Sequence, residues 1–190
     1  MISLKEGNRL VKLARKIIES YFSEERVDVK EYGEKRGLFA TLHKYPSKEL
    51  RGCIGFPEPV MDLNYALAEA AKASAFSDPR FMPVLKDEID NIIIEVSVLT
   101  KPGIIKDIKE IKIGRDGLII ECKGKGGLLL PVVAAEHKWN VKEFLEHTCI
   151  KADLNKDCWK EKDCKIYTFQ SQVFSEVKPD GEVVEKKISE

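Results

Sequence analysis

The sequence has no excess charge of either sign. Its 32 basic residues balance 32 acidic residues, so the formal net charge is zero at neutral pH. Proteins that grip nucleic acid through its phosphates usually carry a basic excess, because each neutralised phosphate needs a lysine or an arginine. The balance therefore disfavours nucleic-acid binding, which only a local basic face would restore.

A long apolar run is also lacking. No stretch approaches the roughly 18 to 20 apolar residues that a membrane-spanning helix needs, and the opening MISLKEGNRL has no apolar signal core. We therefore expect a cytoplasmic protein with no membrane partner. The hydrophobic share of 43% in 190 residues is enough for a normal core, which excludes disorder of the whole chain.

Cysteine is scarce and shows no pairing pattern. The five cysteines are odd in number and form no C-x-x-C pair, which argues against a disulfide framework and a zinc ribbon. We predict no metal site, because His147, Cys149, Cys158 and Cys164 lack ligand spacing. Abundant Lys and Glu beside two glutamines lean towards a thermophilic source, where a disulfide among Cys149, Cys158 and Cys164 would be possible.

Hydrophobic periodicity predicts an α+β fold with mainly antiparallel sheets and packed helices, because strands outnumber helices and short turns join neighbouring strands. We expect one domain over 1–190, with a small lobe at about 33–80 and a larger lobe from the first helix plus 81–175. The tail 176–190 is expected to fray. The predicted helices are 3–22, 60–76 and 141–152; the predicted strands are 37–44, 50–55, 91–99, a hairpin over 116–133 with a KGKGG turn, and 165–174.

The stretch LRGCIG, residues 50–55, places an arginine and a cysteine among closely spaced glycines. Gly52 and Gly55 indicate a backbone shape that a side chain would block. If this strand pairs with 37–44 as a hairpin, alternation places His43, Arg51 and Cys53 on the more polar face. A single β-bulge would change that assignment.

Cys53 is the candidate nucleophile, with His43 as its base and Arg51 adding positive charge that favours a thiolate. The competing interpretation is structural, since a free cysteine usually packs as a small hydrophobic residue. That interpretation is favoured on general grounds, and the sequence leaves both open.

Arg51 and Arg80 form a second candidate group. Two guanidinium groups near glycine-rich backbone could bind a carboxylate or a phosphate. Alternatively each arginine pairs with a nearby acid, Glu49 for Arg51 and Asp78 for Arg80. The stretch Asp78-Pro79-Arg80-Phe81 also fits a plain helix stop, which is favoured over a catalytic role for Asp78.

Glu136 is a further candidate ligand-binding residue, because it follows a predicted strand end, LLLPVV.

Several motifs in a fixed order resemble the AMMECR family, over roughly residues 3–175. They are LRGCIG at 50–55, SDPRF at 77–81, EVSVL at 95–99, GRDGL at 114–118, LLP at 129–131, and Trp139 followed by Phe144-Leu145. Two positions depart from the family pattern. Val132 stands where glutamine is common, and Asp153 stands where glycine is common.

The resemblance implies a two-lobed α+β fold with the motif residues around a cleft between the lobes. It implies no established activity and no cofactor. Prokaryotic members of the family are associated with Memo-type and radical-SAM proteins, which suggests a shared pathway.

We therefore expect an enzyme that acts on a small anionic metabolite or nucleotide. Cys53 would be its nucleophile, with His43 beside it. The ligand-binding residues would be Arg51, Gly52, Gly55, Asp78, Arg80 and Glu136. The alternative is a non-catalytic binding or scaffold module for a ligand or a partner protein.

Overall fold

A computed structural model describes residues 1–23 and 25–186. The α-helices are α1 (Leu4–Ser20), α2 (Leu63–Phe76), α3 (Pro131–Glu136) and α4 (Val141–Lys151). The strands are β1 (Leu38–Lys44), β2 (Leu50–Phe56), β3 (Ile92–Leu99), β4 (Gly103–Ile104), β5 (Asp116–Cys122), β6 (Lys125–Leu129), β7 (Lys165–Glu176) and β8 (Val183–Lys186). Helices and antiparallel strand pairs confirm the predicted α+β class.

The chain forms two compact units. The first contains Met1–Leu99 and the described residues from Gln172 onward, and the second contains Thr100–Ser171. These boundaries differ from the lobe boundaries expected from the sequence. The second unit is therefore inserted between two segments of the first.

In the first unit, α1 and α2 cover one face of the strands β2, β1 and β3. The Ser3 side chain accepts a hydrogen bond from the Glu6 N–H and starts α1, and the Asp62 side chain caps α2 through the Asn64 N–H. The apolar face of the sheet joins both helices in one core, whose strand members are Leu38, Ala40, Leu42, Ile92, Ile94, Val96 and Val98.

The strands of the first unit follow the order β2, β1, β3, β7, β8, and β7 contributes only its residues Gln172–Glu176 to this unit. β1 is antiparallel to both β2 and β3, so it lies between them. β8 pairs antiparallel with the end of β7. The tail was predicted to fray, but Glu176 is buried and Val183–Lys186 form a strand. The prediction was therefore wrong for 176–186, and residues 187–190 lie outside the described residues.

In the second unit, β5 lies between β6 and β7, and β4 pairs with β7. Its core includes Leu118, Ile120, Phe144 and Leu145. The predicted hairpin is present, but its turn is Lys123-Gly124, and both residues have positive φ. Residues 131–136 form α3 instead of extending the hairpin, because Pro131 is suited to the first turn of a helix.

Two disulfides lie in the second unit, Cys122–Cys164 and Cys149–Cys158. They correct the sequence-based argument against a disulfide framework. Among the last three cysteines, Cys149 and Cys158 do pair, but Cys164 pairs with Cys122 across 42 residues. Among the helices of the described residues, none is both long and apolar enough to cross a membrane.

Candidate functional site

The candidate site lies on the face of the first unit's sheet that points away from the apolar core. Strand register aligns Cys53 on β2, Thr41 on β1 and Glu95 on β3 in one row across the sheet. Because side chains alternate along a strand, these three share a face, and Ala40 and Val96 point to the other. We call Thr41, His43, Cys53 and Glu95 the polar face.

The Cys53 thiol is half-buried and is the free cysteine of the described residues. The Thr41 hydroxyl donates a hydrogen bond to its sulfur at 3.3 Å. The predicted pairing of the hairpin, with residues 41 and 53 on one face, is confirmed.

The backbone of Cys53 is held by the SDPRF stretch. Its N–H donates to Asp78 Oδ2 at 2.9 Å, and its carbonyl oxygen accepts from Arg80 Nη2 at 3.0 Å. Arg80 also binds both carboxylate oxygens of Asp78, at 3.0 and 2.8 Å. Asp78 and Arg80 thus occupy the outer edge of β2 much as a paired strand would.

The ion pair between Asp78 and Arg80 shifts the pKa values of both side chains. The hydrogen bond from Arg80, together with the N–H of Cys53, holds the pKa of the Asp78 carboxyl well below its usual range, although burial opposes ionisation. The Asp78 carboxylate in turn raises the pKa of Arg80. The Arg80 side chain remains 53% exposed, which leaves it accessible to an anion.

Arg51 has a different partner from the one the sequence suggested. A β-bulge shifts the register between Leu42 and His43 and leaves Arg51 outside the regular alternation. Its guanidinium group binds Glu88 at 2.9 Å through both Nε and Nη2, and it donates to the carbonyl oxygens of Met82 and Pro83. The buried Arg51 therefore fastens β2 to the segment that follows α2.

His43 lies on the polar face, with its ring nitrogens directed at other groups than the thiol. Nδ1 is 3.2 Å from the carbonyl oxygen of Lys48, and Nε2 is 3.9 Å from Glu95 Oε1. Lys186 Nζ also binds Glu95, at 2.5 Å. Burial opposes ionisation of Glu95, but His43 and Lys186 outweigh it and lower the pKa of this carboxyl.

The two glycines of LRGCIG are explained by close packing. A Cβ at Gly52 would lie 2.1 Å from the carbonyl oxygen of Ser74 in α2, and one at Gly55 would lie 2.3 Å from that of Leu38. The Ser74 hydroxyl also accepts from the Ile54 N–H and donates to the Ala40 carbonyl oxygen. Gly52 is needed so that α2 can approach the sheet this closely.

Other candidate residues lie in the second unit. Glu136 is exposed at the end of α3. Within the described parts of the chain, one group of potential metal ligands is close enough together to hold an ion, namely Cys122, Glu161 and Cys164. Sequence reasoning missed this group, and it missed Glu95, because β1–β3 pairing brings Glu95 to Thr41 from 54 residues away.

The fold and these motifs define a class of α+β proteins that is found in several organisms. The chain is 50% identical to Protein MJ0810 of Methanocaldococcus jannaschii, over 99% of this chain and 98% of that one. Protein PH0010 of Pyrococcus horikoshii is 46% identical, over 96% and 95% of the two chains. Relatives from thermophiles agree with the composition.

The AMMECR1 family model matches residues 11–174. The crystal structure of uncharacterized protein PH0010 from Pyrococcus horikoshii is similar to this chain, with a TM-score of 0.86, 44% identity and 98% of each chain covered. The chain belongs to the AMMECR1 family, as the motifs of the sequence indicated.

Proposed function

We propose that this protein is an enzyme that acts on a small anionic metabolite or nucleotide at the polar face. Cys53 is the nucleophile in this proposal. The observation that carries it is the half-buried free thiol that accepts a hydrogen bond from Thr41, in one row with an ionised carboxylate. A thiol at this position, once deprotonated, is suited to attack an electrophilic carbon or phosphorus atom.

The remaining groups would bind and orient the substrate. Arg80 presents a largely exposed guanidinium group beside Cys53, which suits a carboxylate or a phosphate of the substrate. His43 would act as the base once its ring turns from the Lys48 carbonyl oxygen towards the sulfur. Arg51 would hold β2 in place and would not bind the substrate directly, since Glu88 and two carbonyl oxygens already bind it.

The experiment compares the alkylation rate of Cys53 by iodoacetamide in the folded protein and in the unfolded chain, at one neutral pH. Mass spectrometry of peptides identifies the modified site. We expect faster reaction in the folded protein, and slower reaction in Thr41→Val because the hydrogen bond to sulfur is removed. Ser97→Ala is the matched control, because Ser97 lies one row further along the same face and is also half-buried.

Catalytic turnover is then assayed with a panel of phosphorylated metabolites and nucleotides as candidate substrates. Cys53→Ser should abolish it and leave the melting temperature nearly unchanged, while Ser97→Ala should retain it. Slower alkylation of Cys53 in the folded protein than in the unfolded chain would contradict the assignment of Cys53 as the nucleophile.

A second candidate, a non-catalytic binding or scaffold module, is favoured by one observation. Arg51, Asp78 and Arg80 are all engaged with other groups of the first unit, so these motif residues serve the fold even without a ligand. A scaffold would tolerate Cys53→Ser in partner binding and would respond to substitutions at the exposed surface. The links to Memo-type and radical-SAM proteins offer partners for a direct binding assay.

A further inference from the structure

A second group of side chains, each of which can act as a metal ligand, lies at one end of the second unit's sheet. Register pairs Glu121 with Lys165, and the next residues, Cys122 at the end of β5 and Cys164 directly before β7, lie opposite each other. Their Cα atoms are 4.4 Å apart and their sulfurs form a disulfide. Glu161 is close by, and one ligand atom from each of the three residues lies within 4.8 Å of the others.

A tight turn holds two of the three ligands. The Cys164 N–H donates to the Glu161 carbonyl oxygen at 3.1 Å, which closes an E-x-x-C turn. Two ligands three residues apart on such a turn, completed by a cysteine from another strand, resemble half of a zinc site with C-x-x-C spacing. Two thiolates with one carboxylate are a donor set that selects zinc over magnesium or calcium.

We propose that the reduced form of this protein binds a zinc-class divalent cation through Cys122, Cys164 and Glu161. The proposal is independent of the function proposed for Cys53, which belongs to the first unit. It differs from the sequence-based prediction that the chain has no metal site, which the cobalt titration described below would test.

Metal binding requires a prior reduction. A dithiol reductant breaks the Cys122–Cys164 bond, donates two electrons and two protons to the two sulfurs, and is itself oxidised to a disulfide. The cation then displaces both thiol protons to solvent as two metal–sulfur bonds form. Disulfide and metal therefore exclude each other, and the redox state decides which is present.

The local charges suit a dication. Two thiolates and one carboxylate exceed the charge of the cation by one negative unit, and Lys123 Nζ, 2.5 Å from Glu161 Oε2, supplies the balancing positive charge. The lysine binds one carboxylate oxygen and leaves the other for the metal. Because the Glu161 side chain is 41% exposed, water can take the fourth position.

The experiment uses cobalt(II) as an optical probe on the full chain. The protein is reduced with a phosphine, and the phosphine is then removed under anaerobic conditions. The reduced protein is titrated with Co²⁺ while the thiolate-to-cobalt charge-transfer absorption is recorded. Cys149→Ser/Cys158→Ser is the matched control, because it removes the other disulfide and keeps the proposed ligands. The test variants are Cys122→Ser/Cys164→Ser and Glu161→Gln.

We expect one Co²⁺ per chain in the reduced protein and in the matched control. The oxidised protein and Cys122→Ser/Cys164→Ser should give no charge-transfer band. Loss of an outer-shell partner alone costs about 10- to 100-fold in affinity, so Glu161→Gln should weaken binding by at least about tenfold. No band in the reduced protein, or an equal band in the double-serine variant, would overturn the proposal.

Alkylation of the reduced wild-type protein gives a second readout that needs no variant to fold. Zn²⁺ should slow the reaction of Cys164 with iodoacetamide at least about tenfold and leave that of Cys53 unchanged. Equal slowing of both cysteines, or slowing of neither, would also refute the site.

Discussion

The buried ion pair between Arg15 and Glu176 is expected to contribute strongly to the free energy of unfolding. The Glu176 side chain is fully buried and that of Arg15 is 5% exposed. The carboxylate accepts from Arg15 Nε at 2.7 Å and Nη2 at 2.6 Å, and also from the Ile94 N–H at 3.0 Å. It therefore joins the first helix, the third strand and the end of β7.

Glu176→Gln keeps the shape of the side chain and removes its charge. All three partners are donors, so the new amide group must face at least one of them in either orientation. The buried guanidinium group also loses its buried counter-charge and keeps only the half-exposed carboxylate of Glu19. Breaking a buried pair by removing one partner costs about 3–5 kcal/mol of unfolding free energy. We expect a loss of that order, measured as the urea midpoint by circular dichroism.

Glu19→Gln is the control on the same arginine. Glu19 lies 3.4 Å from Arg15 Nη1, but its side chain is 47% exposed. Pairs of this kind at i,i+4 contribute about 0.3–0.5 kcal/mol. Hydrogen exchange in peptides of α1 localises the effect to the first unit. If Glu176→Gln cost no more than Glu19→Gln, the reasoning from burial would be wrong.

Two further predictions concern the LRGCIG and SDPRF stretches. Gly52→Ala should lower the unfolding free energy by about 1–3 kcal/mol, because its Cβ would meet the Ser74 carbonyl oxygen. Gly126→Ala is the control, because its Cβ would have its nearest contact at 3.7 Å, and it should be tolerated. Urea unfolding followed by circular dichroism measures both variants. Asp78→Asn should lower the urea midpoint at neutral pH. Because Arg80 depresses the pKa of Asp78, the folded state gains stability above the usual aspartate pKa of about 3.9, and this gain is lost as the pH falls towards the folded-state value. The midpoints of wild type and Asp78→Asn should therefore converge in acid; a constant difference would contradict the ion pair.

Local patterns predicted the elements well, because capping and alternation depend on neighbours in the sequence. Ser3, Asp62 and Asn140 each cap the helix that the pattern indicated. The pairing of Thr41 with Cys53 followed from alternation across a short turn.

Contacts between residues far apart in the sequence could not be predicted from local patterns. Arg51 binds Glu88 from 37 residues away, and Cys122 reaches Cys164 only through the β5–β7 register. A sequence pattern carries no signal for these choices, since many acids and cysteines are available to each residue. The frayed-tail prediction was wrong for the same reason, because β7 and Arg15 supply the contacts that order the tail.

The insertion of the second unit into the first has a consequence for synthesis on the ribosome. Arg15 and Glu176 are 161 residues apart in the chain. At roughly 5–20 residues per second, the first helix emerges about 8–32 seconds before its carboxylate partner is made. The second unit, Thr100–Ser171, is translated entirely within that interval. Glu176 therefore completes a contact with the helix that is translated first, after the whole second unit has been made.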